Sequence, residues 1–336
     1  MGSGRSRFVL QKIAFAVLTI FLVITFNFFL FRVLPGDPAV SGLKDPRLSR
    51  EAVAALTERF GLNDPAFINL SGGNPFESQY FAYLGALVHG ELGTSFAFRD
   101  QAVTSLLGTA LVNTLWLVLP AEFIAIIAGV VLGLVAAWRR GTKLDVGALT
   151  FSLIMWSLPT FFLGIVLLFF GSRWFGLPTA GRVTIGADYA NAWEQVVDIV
   201  THLFLPTLTL ALVLLGEYML IMRSSVVEVM SEDYILTAKA KGLSTTQIIR
   251  AHALRNAMLP IVTLIALNLG FTVSGAIQVE TVFSWPGLGE LTVRAVNQRD
   301  FPVLQGAFLL LAVAVVVANL ITELIYGWLD PRVTEA

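Results

Sequence analysis

Three histidines, His89, His202 and His252, are the residues of this chain best suited to binding a metal or moving a proton, and they lie far apart in sequence. None belongs to an H-E-x-x-H pattern, which would bring two ligands to one helix face, so no metal site is expected. The absence of cysteine removes a thiolate nucleophile, a disulfide framework and any cysteine-ligated metal. No G-x-x-x-x-G-K-S/T stretch occurs, so nucleotide phosphates have no conventional cradle here. A hydrolase would need a nucleophile and a base in matching positions, and His202 has no evident serine or aspartate partner; the chain is not expected to be an enzyme. What remains is a set of acids and amides inside apolar runs: Glu122, Asn268, Gln278 and Glu280. Charge near a bilayer centre is costly and faces a cavity or a partner, so these four are candidates either for a translocation path or for bonds between helices. Arg32 and Glu217 lie near run ends, where long side chains can snorkel.

The elements that hold these residues are membrane spans. The 336 residues are 56% hydrophobic and 13% charged, with a mean hydropathy of +0.77, beyond what a soluble surface allows. A net charge of −1 gives no sign of the basic face that nucleic-acid binding usually needs, and that class is set aside. A helix needs about 20 apolar residues to cross the hydrocarbon, and six runs qualify: 8–34, 112–138, 146–172, 203–222, 257–283 and 303–329. The first is too long for a cleavable signal, whose apolar region spans roughly 7 to 15 residues, and it reads as an uncleaved span. Gly129 and Gly133 form a small-xxx-small pattern that marks close helix packing.

Lys and Arg concentrate in alternate connections: Arg5, Arg7 and Lys12; Arg139, Arg140 and Lys143; Arg223, Lys239, Lys241, Arg250 and Arg255; and Arg332. The positive-inside rule then places both termini in the cytoplasm. The chain divides into a cytoplasmic N-terminus and first span (1–34), an extracytoplasmic helical segment (35–111), a five-helix core (112–329) with a cytoplasmic loop at 223–256, and a tail (330–336). Within 35–111, Ser49 caps a helix over Glu51–Leu56 that Gly61 and Pro65 end, and a turn at 71–75 precedes an amphipathic stretch, Phe76 to Leu87. This segment is either a cap over helix ends or a docking or gating surface.

The loop at 223–256 carries the strongest local signals. Ser231 can cap a helix with Glu232 and Asp233 in its first turn, Lys239 and Lys241 at its end, and Gly242 as its exit, all suited to the helix dipole. Ser244 and Gln247 then stand at capping-box spacing, flanked by Leu243 and Ile248 as a hydrophobic staple, with Pro260 near the return to the membrane. The result is a rigid helix–turn–helix elbow. Its first helix, about 15 Å long at 1.5 Å per residue, is too short to stand alone in water. Ala238, Ala240 and Gly242 admit a close partner, and Tyr234, Ile235 and Leu236 supply anchors; the other reading is an interfacial helix resting on anionic lipid through Lys239 and Lys241.

The run Glu232-Asp233-Tyr234-Ile235-Leu236-Thr237-Ala238-Lys239-Ala240-Lys241-Gly242-Leu243, followed by His252-Ala253-Leu254-Arg255-Asn256-Ala257-Met258-Leu259-Pro260, resembles the EAA loop of ABC importer permeases. It is most similar to the dipeptide and oligopeptide (peptide/nickel) branch, in the subunit type with a long first extracytoplasmic segment. Further landmarks follow in family order: Leu34-Pro35-Gly36-Asp37-Pro38, Gly61-Leu62 with Pro65, Gly90-Glu91-Leu92-Gly93-Thr94-Ser95, Ser157-Leu158-Pro159-Thr160-Phe161, Phe283-Ser284-Trp285-Pro286-Gly287-Leu288-Gly289 and Asp330-Pro331-Arg332. Thr237-Ala238-Lys239-Ala240 stands in place of the Glu-Ala-Ala that names the loop, and 66–75 resembles an insertion.

The resemblance implies an all-α type I permease fold in the bacterial inner (plasma) membrane, multi-pass. It implies a homologous second permease subunit, two ATPase subunits that carry ATP and Mg, an extracytoplasmic solute-binding protein, and a peptide substrate, with no cofactor on this chain. ATPase coupling would fall to Glu232, Asp233, Tyr234, Ala238, Ala240, Gly242, Leu259 and Pro260, and extracytoplasmic gating or docking to Asp37, Trp285, Pro286 and Gly287. Relatives also handle nickel, glutathione-like molecules and oligosaccharides. An acidic pair such as Glu122 and Glu280 raises proton-coupled secondary transport as an alternative, against which stands the lack of a repeated hydropathy unit with interrupted spans.

Overall fold

The computed structural model describes residues 2–33, 76, 78–98 and 101–329; the helix expected after Ser49, the Gly61–Pro65 exit, and Asp37 lie outside them. The described elements are α1 (Gly2–Val33), α2 (Gln79–Val88), α3 (Val103–Trp138), α4 (Lys143–Ser157), α5 (Thr160–Phe175), α6 (Ala192–Val229), α7 (Asp233–Ala240), α8 (Thr245–Ile248), α9 (Leu254–Val282), α10 (Leu288–Gln298) and α11 (Phe301–Leu329). Among the described residues the only strand-like pairing is an isolated bridge between Thr94 and Ala102. Among the described residues, five helices are long and apolar enough to cross a membrane, and six spans result if α4 and α5 count as one bent pair.

That pair departs from the continuous run expected over 146–172. The chain turns by 105° between α4 and α5. Pro159 is the cause: its ring pushes Leu158 out of the helical region, and Leu158 sits at φ −71°, ψ 132°. Other boundaries also moved. Helix α3 begins at Val103 inside the expected outside segment, and α6 begins at Ala192, eleven residues before its apolar run. Helix α10 was not anticipated; its buried Leu288, Leu291, Thr292 and Ala295 form a stripe at helical spacing.

Packing groups the chain into two compact units, Met1–Asn113 with Gly287–Val317, and Thr114–Pro286 with Ala318–Ala336. In the first, Phe31, the start of α3 (Val103, Leu107, Ala110), α10 and the start of α11 (Val303, Leu304, Ala307) share one core. A buried aspartate fixes its polar frame. Asp300, fully enclosed, accepts from the Ser95 hydroxyl, from the backbone N–H of Ala97 at 3.1 Å and from that of Phe96 at 3.3 Å. It also meets Val303 N–H in the first turn of α11 at 3.4 Å. One carboxylate thus caps a helix and pins the 95–97 turn, which gives Gly93-Thr94-Ser95 a structural reason.

In the second unit α6 is the central post, packed by α4, α5 and α9. Small residues set its distances to neighbours. A Cβ on Gly129 would lie 2.5 Å from Tyr218 Cβ, one on Gly133 would lie 2.7 Å from the Met219 carbonyl, and one on Gly216 would lie 2.6 Å from the Ser152 carbonyl. The Gly129/Gly133 pattern therefore marks the α3–α6 contact, as small residues do where helices lack a hydrophobic drive to associate. Exposed apolar side chains, Trp116, Phe123, Ile127 and Val131, run along the other side of α3.

Replacing Gly129 by Val is expected to force α3 and α6 apart at a cost of about 1–3 kcal/mol, seen as a lower thermal midpoint in detergent. Gly147→Ala, where a Cβ meets nothing within 4 Å, should leave the midpoint in place.

Candidate functional site

The elbow begins where α6 ends. Ser231 does not cap α7: its hydroxyl donates back to the Glu228 carbonyl at 2.6 Å, and Glu232 occupies the N-cap position without a side-chain bond. The expected cap is lost because Ser231 is captured by the outgoing turn of α6, one residue too early to reach α7. The exit matches expectation. Gly242 takes φ +80°, Gly242 N–H bonds the Lys239 carbonyl at 2.9 Å, and Leu243 N–H bonds the Ala238 carbonyl at 3.3 Å. These are the paired bonds of a Schellman motif, which glycine enters without Cβ strain. The capping box also forms: Ser244 N–H donates to Gln247 Oε1 at 2.9 Å, and Gln247 N–H donates to Ser244 Oγ at 3.4 Å.

What braces so short a helix is a core of its own. Ile235, Ala238, Ile248 and Ala253 are buried together, with Val229, Met230 and Leu243 against them. Ala238 therefore faces inward, whereas Tyr234, Leu236, Lys239, Ala240 and Lys241 are exposed. Leu236, 55% exposed, is the apolar side chain that α7 offers most openly. Gly242 faces open space, as do Leu259 and Pro260 at the return. Tyr234 is tethered: Asn256 Nδ2 donates to its hydroxyl at 2.7 Å.

The intramembrane candidates separate into groups. Glu122, 3% exposed, accepts from the hydroxyl of Tyr218, and Asn268 Nδ2 donates to Glu217 Oε2 at 3.2 Å and to Tyr218 at 3.4 Å. Two residues chosen from sequence, Glu122 and Asn268, thus meet through Tyr218 and Glu217, linking α3, α6 and α9. Glu217, near a run end where a long side chain can snorkel, is half-buried within this network. Glu280 is fully buried and accepts from Thr114 at 2.6 Å, while Gln278 is exposed. His202 Nδ1 is 2.9 Å from the Asp198 carbonyl and 3.4 Å from the Asp198 carboxylate, an acid one helical turn earlier that joins the same helix because α6 begins at Ala192, ahead of its apolar run.

After α9 the chain closes a second Schellman pair, Ser284 N–H to the Thr281 carbonyl and Trp285 N–H to the Glu280 carbonyl at 2.9 Å. Ser284 takes φ 47°. Trp285 is completely enclosed among Leu117, Val118, Leu210 and Phe283, so its indole is a packing anchor in this chain; Pro286 is partly covered and Gly287 buried.

One strong ion pair escaped the sequence. Arg223 grips Asp145 with two bonds, Nε to Oδ1 at 2.6 Å and Nη2 to Oδ2 at 2.8 Å. Asp145 is 2% exposed, accepts in addition from Gly141 N–H at 2.9 Å, and joins the start of α4 to the last turns of α6. A bidentate guanidinium–carboxylate pair fixes orientation as well as distance.

The sequence matches the family described as binding-protein-dependent transport system inner membrane component over residues 129–335. The chain belongs to that family. Similar proteins include the di/tripeptide transport system permease protein DppB of Pseudomonas aeruginosa, 34% identical over 97% of this chain and 98% of the relative. The oligopeptide transport system permease protein AppB of Bacillus subtilis is 32% identical over the same shares, and the dipeptide transport system permease protein DppB of Escherichia coli K12 is 34% identical over them. Among solved structures, a chain of the MetNI methionine ABC transporter in inward-facing form superposes with a TM-score of 0.53, at 18% identity, over 67% of this chain and 96% of that one. The shared element is the fold, that of an ABC importer permease. This permease is a multi-pass inner-membrane protein, and the elbow lies inside its matched region.

Removing one member of the ion pair should cost far more than removing both. Arg223→Met strands a buried carboxylate, for which roughly 3–5 kcal/mol is expected; Asp145→Asn with Arg223→Met should recover most of it. Denaturant unfolding of the permease in detergent reads the difference.

Proposed function

We propose that this permease forms one half of the membrane pathway of an ATP-driven importer of short peptides. The observation that carries the reading is likeness over the whole chain: the permeases named for di/tripeptide, oligopeptide and dipeptide transport each align over 97% of it. The other half is a homologous permease subunit, substrate arrives on an extracytoplasmic solute-binding protein, and ATP with Mg binds two ATPase subunits, since this sequence lacks a phosphate cradle of its own. The basic residues of 139–143 and 223–256 favour a cytoplasmic side for those connections and for both termini.

Coupling falls to the elbow. Its exposed surface, formed by Glu232, Asp233, Tyr234, Leu236, Ala240 and Gly242, meets an ATPase, while Ala238 holds α7 against its own core. The second arm continues through Leu259 and Pro260 into α9, so a push on α7 reaches the span that carries Asn268, Gln278 and Glu280. Gln278, exposed on α9, and the Glu122–Tyr218–Asn268 network are the pathway candidates. Trp285, Pro286 and Gly287 form the extracytoplasmic gate, with the packed indole as its fixed base.

Two measurements test this. Vesicles holding the complete transporter and loaded binding protein should take up labelled trialanine with ATP and without a proton gradient; uptake driven by a gradient alone would sink the reading. Leu236→Asp, at a side chain this chain leaves exposed, should preserve the permease's thermal midpoint yet strip the ATPase from the purified complex. Retention of the ATPase would remove α7 as the docking element.

A further inference from the structure

The second arm of the elbow is not a regular helix. Between α8 and α9 lies a π-turn, Ile249–Ala253, closed by Leu254 N–H on the Ile249 carbonyl five residues back. Such turns are rare inside helices and concentrate at functional sites. Here the consequence is a change of register. Ile248 and Ala253, five apart, both enter the elbow core, although at 3.6 residues per turn they would point about 140° apart. Beyond the turn the regular spacing resumes, with Ala253, Ala257, Ile261 and Leu264 all buried.

Asn256 stands three residues after Ala253, next to it on the same face, and its amide reaches Tyr234 across the elbow at 2.7 Å. Among the described residues the loop at Gly242 and the apolar core of Ile235, Ala238, Ile248 and Ala253 also join the two arms. The hydrogen bond is directional and joins the first turn of α7 to the first turn of α9. Tyr234 remains partly exposed, so a partner resting on α7 can load the same side chain that holds α9.

We infer that the Tyr234–Asn256 hydrogen bond, aimed by the π-turn at 249–253, is the positioning contact that makes α7 and the membrane span α9 move as one body during the transport cycle. The inference rests on the coupling role proposed for the elbow. Tyr234 and Asn256 are positioning residues: they act through the attitude of α7 and touch neither nucleotide nor substrate.

The test uses the complete transporter in vesicles with its binding protein. Tyr234→Phe keeps the ring and removes the hydroxyl; Asn256→Leu keeps the volume and removes the donor. Asn256→Leu, outside the docking surface, should leave subunit composition and thermal midpoint unchanged, and each variant should lower labelled trialanine taken up per ATP hydrolysed by roughly two- to thirtyfold in complexes that retain both ATPase subunits. The double variant should lose no more than the worse single one, because both remove the same bond. Wild-type uptake per ATP in both single variants, or losses that multiply in the double, would overturn the inference. If Leu236→Asp releases the ATPase while Tyr234→Phe is silent, the docking role survives and only the positioning contact is lost.

Discussion

Hydrocarbon offers no hydrogen-bond partner, and that single constraint shapes both the backbone and the polar side chains of this permease. Helices satisfy their own backbone groups, so every described span is helical. Side chains must find partners in neighbouring helices: Glu122 through Tyr218, Asn268 through Glu217, Glu280 through Thr114. Such bonds act only over short reach, which requires helix axes close together. Gly129, Gly133 and Gly216 provide that closeness by leaving no room for even a methyl group. The polar network and the glycine contacts are two sides of one packing arrangement, centred on α6.

Where the chain leaves the membrane, water competes for every hydrogen bond and the structural rules change. The elbow answers with local devices: a Schellman exit at Gly242, a capping box at Ser244 and a four-residue core. Asp145 and Arg223 fasten the connection at 139–145 to α6 with a bidentate pair. Asp300 does comparable work in the other compact unit, where it gathers the 95–97 turn onto the start of α11. At Asp145 and Asp300 one buried carboxylate replaces several weak contacts, and its removal leaves stranded partners.

Not all of this was legible in advance. The Gly242 exit and the Ser244–Gln247 box were, because a cap is decided by a few adjacent residues whose chemistry is local. The Ser231 cap was misplaced by a competing local acceptor, the Glu228 carbonyl. The bend at Leu158–Pro159 was signalled by proline but hidden by hydropathy, which averages over the break. Tyr218, Asp300 and the Asp145–Arg223 pair gave no sign, since their partners lie 50 to 205 residues away in sequence.

Sequence alone determined that this is a helical membrane protein, where its apolar runs lie, how the elbow is capped and which family it resembles. These follow from transfer free energy and from interactions within one turn of helix, both of which are summed along the chain. Tertiary structure decided which acids pair with which donors, that Trp285 is enclosed, that α4 and α5 diverge, and that a π-turn rotates Asn256 onto Tyr234. Those outcomes depend on the register and spacing between elements, quantities set by packing in three dimensions and written at no single position of the chain.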